Sequence, residues 1–137
     1  MLPRGEARVI GDARVDELLR RVAALERQKP SGGLWTPTWT GLTVVGAPTY
    51  AGRYTCIGGL AFFQVVITAG GANTTASTAG ITLINNLPFK AAQYGPVVAG
   101  NTNSYGVAVV VIGTKTAYTP TWSATNLTIV ISGWYEV

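Results

Sequence analysis

The chain has 137 residues, with ten Lys and Arg, six Asp and Glu and no His, and its net charge is +4. This length allows one core-forming domain plus an appendage. The lack of His excludes His-dependent acid–base, nucleophilic and metal chemistry, and the few scattered basic residues argue against nucleic acid as a partner.

The charges are distributed very unevenly. Twelve of the sixteen charged side chains lie in residues 1–29, and the rest of the chain has Arg53, Lys90, Lys115 and Glu136. Because a domain surface is usually about a quarter charged, we expect this body to be wetted by Thr, Asn, Ser and Gly, or to be partly covered in an assembly. Its single carboxylate cannot form the carboxylate pair of most glycosidases, and no phosphate-binding glycine motif is present. We therefore expect no enzymatic activity, no cofactor and no metal site.

Two further features limit the environment of the protein. The longest apolar run, residues 107–112, is far shorter than a membrane span, so membrane insertion is not expected. Cys56 is the single cysteine and cannot form an intrachain disulfide. We interpret it as a small core residue.

Residues 12–29 are predicted to form a helix. Its apolar residues follow the 3-4-3 spacing of a coiled-coil seam. Asp12 is a reasonable N-cap, and Pro30 with the following Gly residues ends the helix. Residues 1–11 are predicted to be a flexible arm that folds on docking, and residues 30–34 a linker. A helix folded back onto its own domain is the alternative interpretation.

Residues 21–26 read RVAALE, which resembles the Arg-hydrophobic-x-x-hydrophobic-Glu pattern of short three-stranded coiled coils. The resemblance implies a parallel homotrimer in which Arg21 pairs with Glu26 of a neighbouring helix. The seam alone permits a dimer as well. The candidate trimerisation residues are Val15, Leu18, Arg21, Val22, Leu25 and Glu26.

Residues 35–137 are predicted to be all-β. Gly, Asn and Pro separate short runs rich in β-branched residues at 39–45, 53–57, 60–68, 78–84, 105–112, 114–118 and 127–137, with a shorter run at 97–99. Such a series predicts a jelly-roll-like antiparallel β-sandwich. Residues 60–67 and 107–112 are apolar on both strand faces, so we expect their outer faces to pack against neighbouring protomers.

Two sequence features are candidates for binding. Residues 35–40 read WTPTWT and residues 118–123 read YTPTWS; paired edge segments with core-plugging Trp residues are favoured over a ligand-stacking platform. Aromatic and amide side chains in loops can also stack on and hydrogen-bond to sugars. The candidate glycan-binding residues are Gln93, Tyr94, Asn101, Asn103 and Tyr105.

Several framework motifs of the body occur together. They are WTPTW at 35–39, GRYTCIG at 52–58, an apolar strand ending at Thr68, LPF at 87–89 and SGWY at 132–135. This set, spread over residues 35–137, resembles the C-terminal head domains of bacteriophage tail fibres and related virion fibres. The resemblance implies a trimeric β-sandwich knob on a coiled-coil or extended stalk, exposed on a virion. It assigns no binding residues.

The sequence therefore predicts a non-enzymatic virion fibre or receptor-binding protein. Residues 1–29 are expected to attach it to other virion proteins, and its head to contact host cell-surface polysaccharide. The alternative is a capsid decoration protein, or a tail or baseplate component, that stabilises the virion.

Overall fold

The computed structural model describes the backbone of residues 4–28 and 30–137 and the side chains of residues 12–25 and 30–137. The chain divides into two compact units, Met1–Pro30 and Ser31–Val137. The predicted fold class, all-β with one N-terminal helix, is confirmed for the described residues. No helix among them is both long enough and apolar enough to cross a membrane.

The single helix, α1, spans Arg4–Gln28. Asp12 therefore lies inside the helix and does not cap it. Residues 4–11, assigned above to the arm, have a helical backbone, while residues 1–3 lie outside the described part. Glu, Ala and Arg in this stretch favour the helix, and Gly5 and Gly11 each cost only about 1 kcal/mol relative to Ala.

The second unit consists of twelve strands. In chain order they are β1 (Ser31–Trp35), β2 (Trp39–Thr40), β3 (Thr43–Val45), β4 (Thr49–Ile57), β5 (Leu60–Thr68), β6 (Thr74–Ser77), β7 (Leu83–Ile84), β8 (Gly95–Gly100), β9 (Ser104–Val110), β10 (Ala117–Tyr118), β11 (Trp122–Thr125) and β12 (Ile129–Glu136). Most of the segment predicted to be a linker is thus strand β1, which pairs with β4 from Ser31 to Trp35.

The strands form two antiparallel sheets. The large sheet has the order β1-β4-β5-β12-β8-β9-β10-β7-β2, and the small sheet has the order β11-β6-β3. The two edge strands of the large sheet, β1 and β2, are joined by residues 36–38 alone. In a flat sheet these edges would lie about 38 Å apart, whereas this connection spans at most about 14 Å. The large sheet must therefore curl until its edges approach each other.

Two predicted strands are each divided in the structure. Residues 39–45 form β2 in the large sheet and β3 in the small sheet, because Gly41 between them has a φ of 74°. Residues 78–84 form a strand only at β7, since the Thr78 carbonyl accepts hydrogen bonds from the amides of Ile81 and Thr82 in a turn. Gly58 and Gly59, both with positive φ, form the hairpin turn between β4 and β5.

The hydrophobic core lies on the inner face of the curled sheet. Burial alternates along the central strands, so that one face of β5, β8 and β12 is buried and the other is partly open. The largest fully buried side chain is Tyr135, whose hydroxyl accepts a hydrogen bond from the Phe89 amide. Burial raises the pKa of this phenol. Trp122 of the small sheet joins the same core cluster.

The two Thr-Pro-Thr segments make corners and do not pair with each other. Residues 36–38 connect the edges of the large sheet, and residues 119–121 lead from β10 to β11 in the small sheet. Trp39 packs against the core and Trp122 lies in it, in agreement with the core-plugging interpretation. Both segments lead into edge strands, as predicted, but these strands do not pair with each other, because β2 pairs with β7 in the large sheet and β11 with β6 in the small sheet.

Side-chain hydrogen bonds hold both corners. At the first corner, the Asn86 amide oxygen accepts the Thr38 N–H at 2.7 Å, and its NH₂ donates to the Thr36 carbonyl at 2.9 Å. At the second corner, the Ser77 hydroxyl lies 2.7 Å from both the Thr119 hydroxyl and the Pro120 carbonyl. These bonds satisfy backbone groups that no strand partner reaches.

We expect Asn86→Ala to lower the free energy of unfolding by about 2 kcal/mol, because two corner hydrogen bonds of about 1 kcal/mol each are lost. The matched control is Asn85→Ala, since the Asn85 side chain bonds the exposed Thr40 hydroxyl and not the corner backbone. Urea denaturation measures both. Equal losses for the two variants would contradict this account of the corner.

Candidate functional site

The five candidate glycan-binding residues lie at opposite ends of β8. Gln93 and Tyr94 immediately precede Gly95, the first residue of this strand, whereas Asn101 and Asn103 follow its last residue. Six residues of extended chain separate the two groups by about 20 Å. The structure therefore does not bring the five residues together into one sugar site.

The second group supports the β8–β9 connection. Asn101 donates from its NH₂ to the Tyr105 hydroxyl at 2.6 Å, and its amide oxygen accepts the Asn103 N–H at 2.9 Å. The Tyr105 ring packs against Trp122, with their centroids 5.9 Å apart. These contacts give Asn101 and Tyr105 structural roles, because their polar atoms and the ring are already engaged.

The first group is open to solvent. Tyr94 is 61% exposed, and Gln93 beside it is exposed as well. An exposed ring next to an amide is the combination that can stack on a sugar ring and hydrogen-bond to its hydroxyls. Among the candidates, Tyr94 with Gln93 therefore has the geometry that best fits sugar binding.

One face of the large sheet forms an apolar surface of the head, here called the outer face. It consists of the residues of β1, β4, β5, β12, β8 and β9 that point away from the core. One row of directly opposed residues crosses it, namely Leu34, Arg53, Gln64, Ser132, Val98 and Val107. The runs that are apolar on both faces are the sequence signal that predicts this surface.

A shallow cavity of about 390 Å³ lies near the centre of the outer face. Phe62 and Trp134 line it from directly opposed positions on β5 and β12, and Pro96 and Val98 line it from β8. Of these side chains, the two aromatic rings are each nearly half exposed. Sequence reasoning did not single out Phe62 or Trp134, because only the register places them side by side.

The helix seam forms a second apolar surface, in the other unit. Val15, Leu18, Val22 and Leu25 are 48 to 66% exposed in the single chain, and the neighbouring Leu19 is similarly open. Leu19 lies outside the 3-4-3 spacing. The seam therefore has no partner among the described residues of the same helix.

The predicted Arg21–Glu26 pair remains a prediction. In the single chain the Arg21 Nε donates to the Glu17 carboxylate at 3.1 Å, one helical turn earlier. The Glu26 side chain lies outside the described part. A pairing between helices would have to compete with this exposed bond within the helix, which contributes about 0.3–0.5 kcal/mol.

The described residues offer few groups that could bind a metal ion or act as nucleophiles. No group of three or more His, Cys, Asp or Glu side chains in this part of the chain could hold a metal ion. Cys56 is free and partly buried. The candidate sites are thus an exposed loop tyrosine and two apolar surfaces.

Comparisons with protein-family models, curated proteins and solved structures find no match to this chain.

We expect Tyr94→Ala to change the free energy of unfolding by no more than about 0.5 kcal/mol, as is usual for exposed positions. Tyr105→Ala should lower it by about 2–4 kcal/mol, because the Trp122 contact and the Asn101 hydrogen bond are lost. Urea denaturation distinguishes the two variants. If Tyr105→Ala were as stable as Tyr94→Ala, the structural role of Tyr105 would be wrong.

Proposed function

We propose that the protein is a non-enzymatic bacteriophage virion component, a homotrimeric fibre or receptor-binding protein. A jelly-roll-like head would stand on a three-stranded coiled-coil stalk, and residues 1–29 would attach it to other virion proteins. The single observation that carries this proposal is the exposed seam of α1. The curled nine-stranded sheet, with a small sheet contributing to its core, supports the jelly-roll-like description.

Burial of the exposed seam against a partner would lower the free energy of the helix. Burying a Val or Leu side chain contributes about 1.5–3 kcal/mol when it is completely exposed beforehand, so four half-exposed side chains offer several kcal/mol per helix. An isolated helix is marginally stable in water. Packing against copies of itself would therefore stabilise α1 and fix the oligomeric state.

The proposed receptor is a host cell-surface polysaccharide. Tyr94 and Gln93 provide the exposed ring and amide for it, and the neutral head surface suits an uncharged ligand. A capsid decoration protein is the second candidate. It is favoured by the engagement of Asn101 and Tyr105 in the β8–β9 connection, which leaves a smaller sugar-binding surface than the sequence predicts.

Light scattering coupled to chromatography tests the trimer. We expect a particle of three times the chain mass of 14.3 kDa, and Leu25→Asp should dissociate it, because three carboxylates would meet in one apolar layer. Leu19→Asp is the matched control, an equally exposed leucine outside the seam. A monomer at micromolar concentration, or equal effects of both substitutions, would refute the coiled-coil trimer.

Deleting residues 1–11 tests the attachment role. The 3-4 spacing continued towards the N-terminus falls on Gly11 and Arg8, so the deletion removes no apolar seam residue. We expect the trimer and its melting temperature to persist while incorporation into the virion is lost. Incorporation of the truncated protein would refute the attachment role of this segment.

Particles lacking the protein separate the two functions. A fibre or receptor-binding protein predicts loss of adsorption to host cells, together with weaker polysaccharide binding by Tyr94→Ala. A decoration protein predicts normal adsorption and particles that burst on heating.

A further inference from the structure

We infer that the outer face of the head is the surface through which one copy of the chain contacts the next. This inference rests on the proposed homotrimer and names the head surface that takes part in it. The main observations come from the head, and the short connection between α1 and β1 adds to them. The observations on the head are the size of the apolar surface, its composition and the placement of its two charges.

The apolar area is large for a free surface. Six large apolar side chains of the outer face are at least 43% exposed: Leu34, Ile57, Phe62, Val98, Val107 and Trp134. At roughly 150–250 Å² for a large side chain that is completely exposed, they present on the order of 600 Å². The largest apolar patch of a typical monomer is about 300–600 Å², and a standard interface buries about 800 Å² per partner. With its polar neighbours, the outer face reaches the size of an interface.

The composition of the outer face fits a protein partner better than a sugar. Around the central cavity, the Ser132 hydroxyl and the indole N–H of Trp134 are the only polar side-chain groups, and Phe62, Pro96 and Val98 are wholly apolar. Sugar sites need several hydrogen-bonding groups around an aromatic ring. Interface centres are instead depleted in charge and enriched in aromatic residues, as the lining of this cavity is.

The charges of the outer face favour a copy of the same chain. Arg53 and Glu136 both project from this face, because Arg53 opposes Gln64 and Glu136 opposes Leu60 on the same side of β5. From the strand spacing and rise they lie about 16 Å apart, and neither makes an ion pair within the described residues. In a threefold arrangement, different parts of one face meet in each contact. The Arg53 of one copy can then approach the Glu136 of the next.

The short connection between α1 and β1 also favours contact between the heads of different copies. Only two residues separate the end of α1 at Gln28 from the start of β1 at Ser31. Leu34 in β1 is 83% exposed and begins the row across the outer face. Copies joined through their helices would keep their β1 strands at a high effective concentration. Weak contacts between heads are then sufficient to close the outer face.

Sedimentation equilibrium of the full chain tests the contact with two valine variants. Val107→Lys introduces a charge at the 74% exposed end of the outer-face row, whereas Val45→Lys introduces it at a 56% exposed position of the small sheet. We expect Val107→Lys to raise the dissociation constant of the trimer at least tenfold and Val45→Lys to leave it within twofold. Circular dichroism confirms that both variants are folded.

Quenching of tryptophan fluorescence by acrylamide gives a readout on the unsubstituted surface. Trp134 lies on the outer face, while Trp35, Trp39 and Trp122 pack in or against the core. If copies cover the outer face, Trp134 is protected from acrylamide in the trimer. Trp134→Phe then removes a weakly quenched tryptophan, and the average quenching constant of the remaining tryptophans does not fall. If the face is free, the same substitution removes the most quenchable component.

The outcomes separate this inference from the proposed function. A trimer that Val107→Lys dissociates, with Trp134 protected, supports both. A trimer that is indifferent to Val107→Lys, with Trp134 freely quenched, overturns the inference and leaves the stalk trimer standing, with the outer face open to a sugar or another protein. A monomeric full chain overturns the proposed trimer and this contact together.

Discussion

The short connection between β1 and β2 is the constraint on which the rest of the head depends. Residues 36–38 join the two edge strands of a nine-stranded sheet, so the sheet has to curl through most of a turn. Proline in the middle fixes an extended corner, and Asn86 bonds the backbone on both sides of it. A longer connection would let the edges separate and open the core to water.

Curling gives the two faces of the sheet different environments. The inner face encloses a small volume, in which Val65, Ile67 and Ile131 are completely buried. The small sheet adds Trp122 to that core, and the buried hydroxyl of Ser77 in β6 hydrogen-bonds to that of Thr119 in the connection before β11. No element of the described head covers the outer face in the same way, and its aromatic residues stay about half exposed. An apolar surface of this kind is the main unsatisfied feature of the isolated chain.

The head and the helix therefore share one feature, an exposed apolar surface. Among the described residues, each unit leaves one apolar surface exposed, the outer face in the head and the seam in the helix. A single homotrimer would cover both surfaces without any further protein. Tyr94 lies in a loop outside both surfaces and is 61% exposed.

Features that depend on local pattern could be predicted from the sequence. The 3-4-3 spacing predicted a helix at residues 12–29, most of which lie in α1, and the run at 60–68 matches β5. Gly58 and Gly59 separate the predicted runs at 53–57 and 60–68, and they form the turn between β4 and β5. These follow from periodicity and from the φ values that only Gly adopts easily. Only the tertiary structure decided which strands are neighbours. Pairing across long sequence separations placed Phe62 beside Trp134 and split residues 39–45 between two sheets. Such contacts depend on strand register and on closure of the sheet, and neither is recorded in the local pattern of one segment.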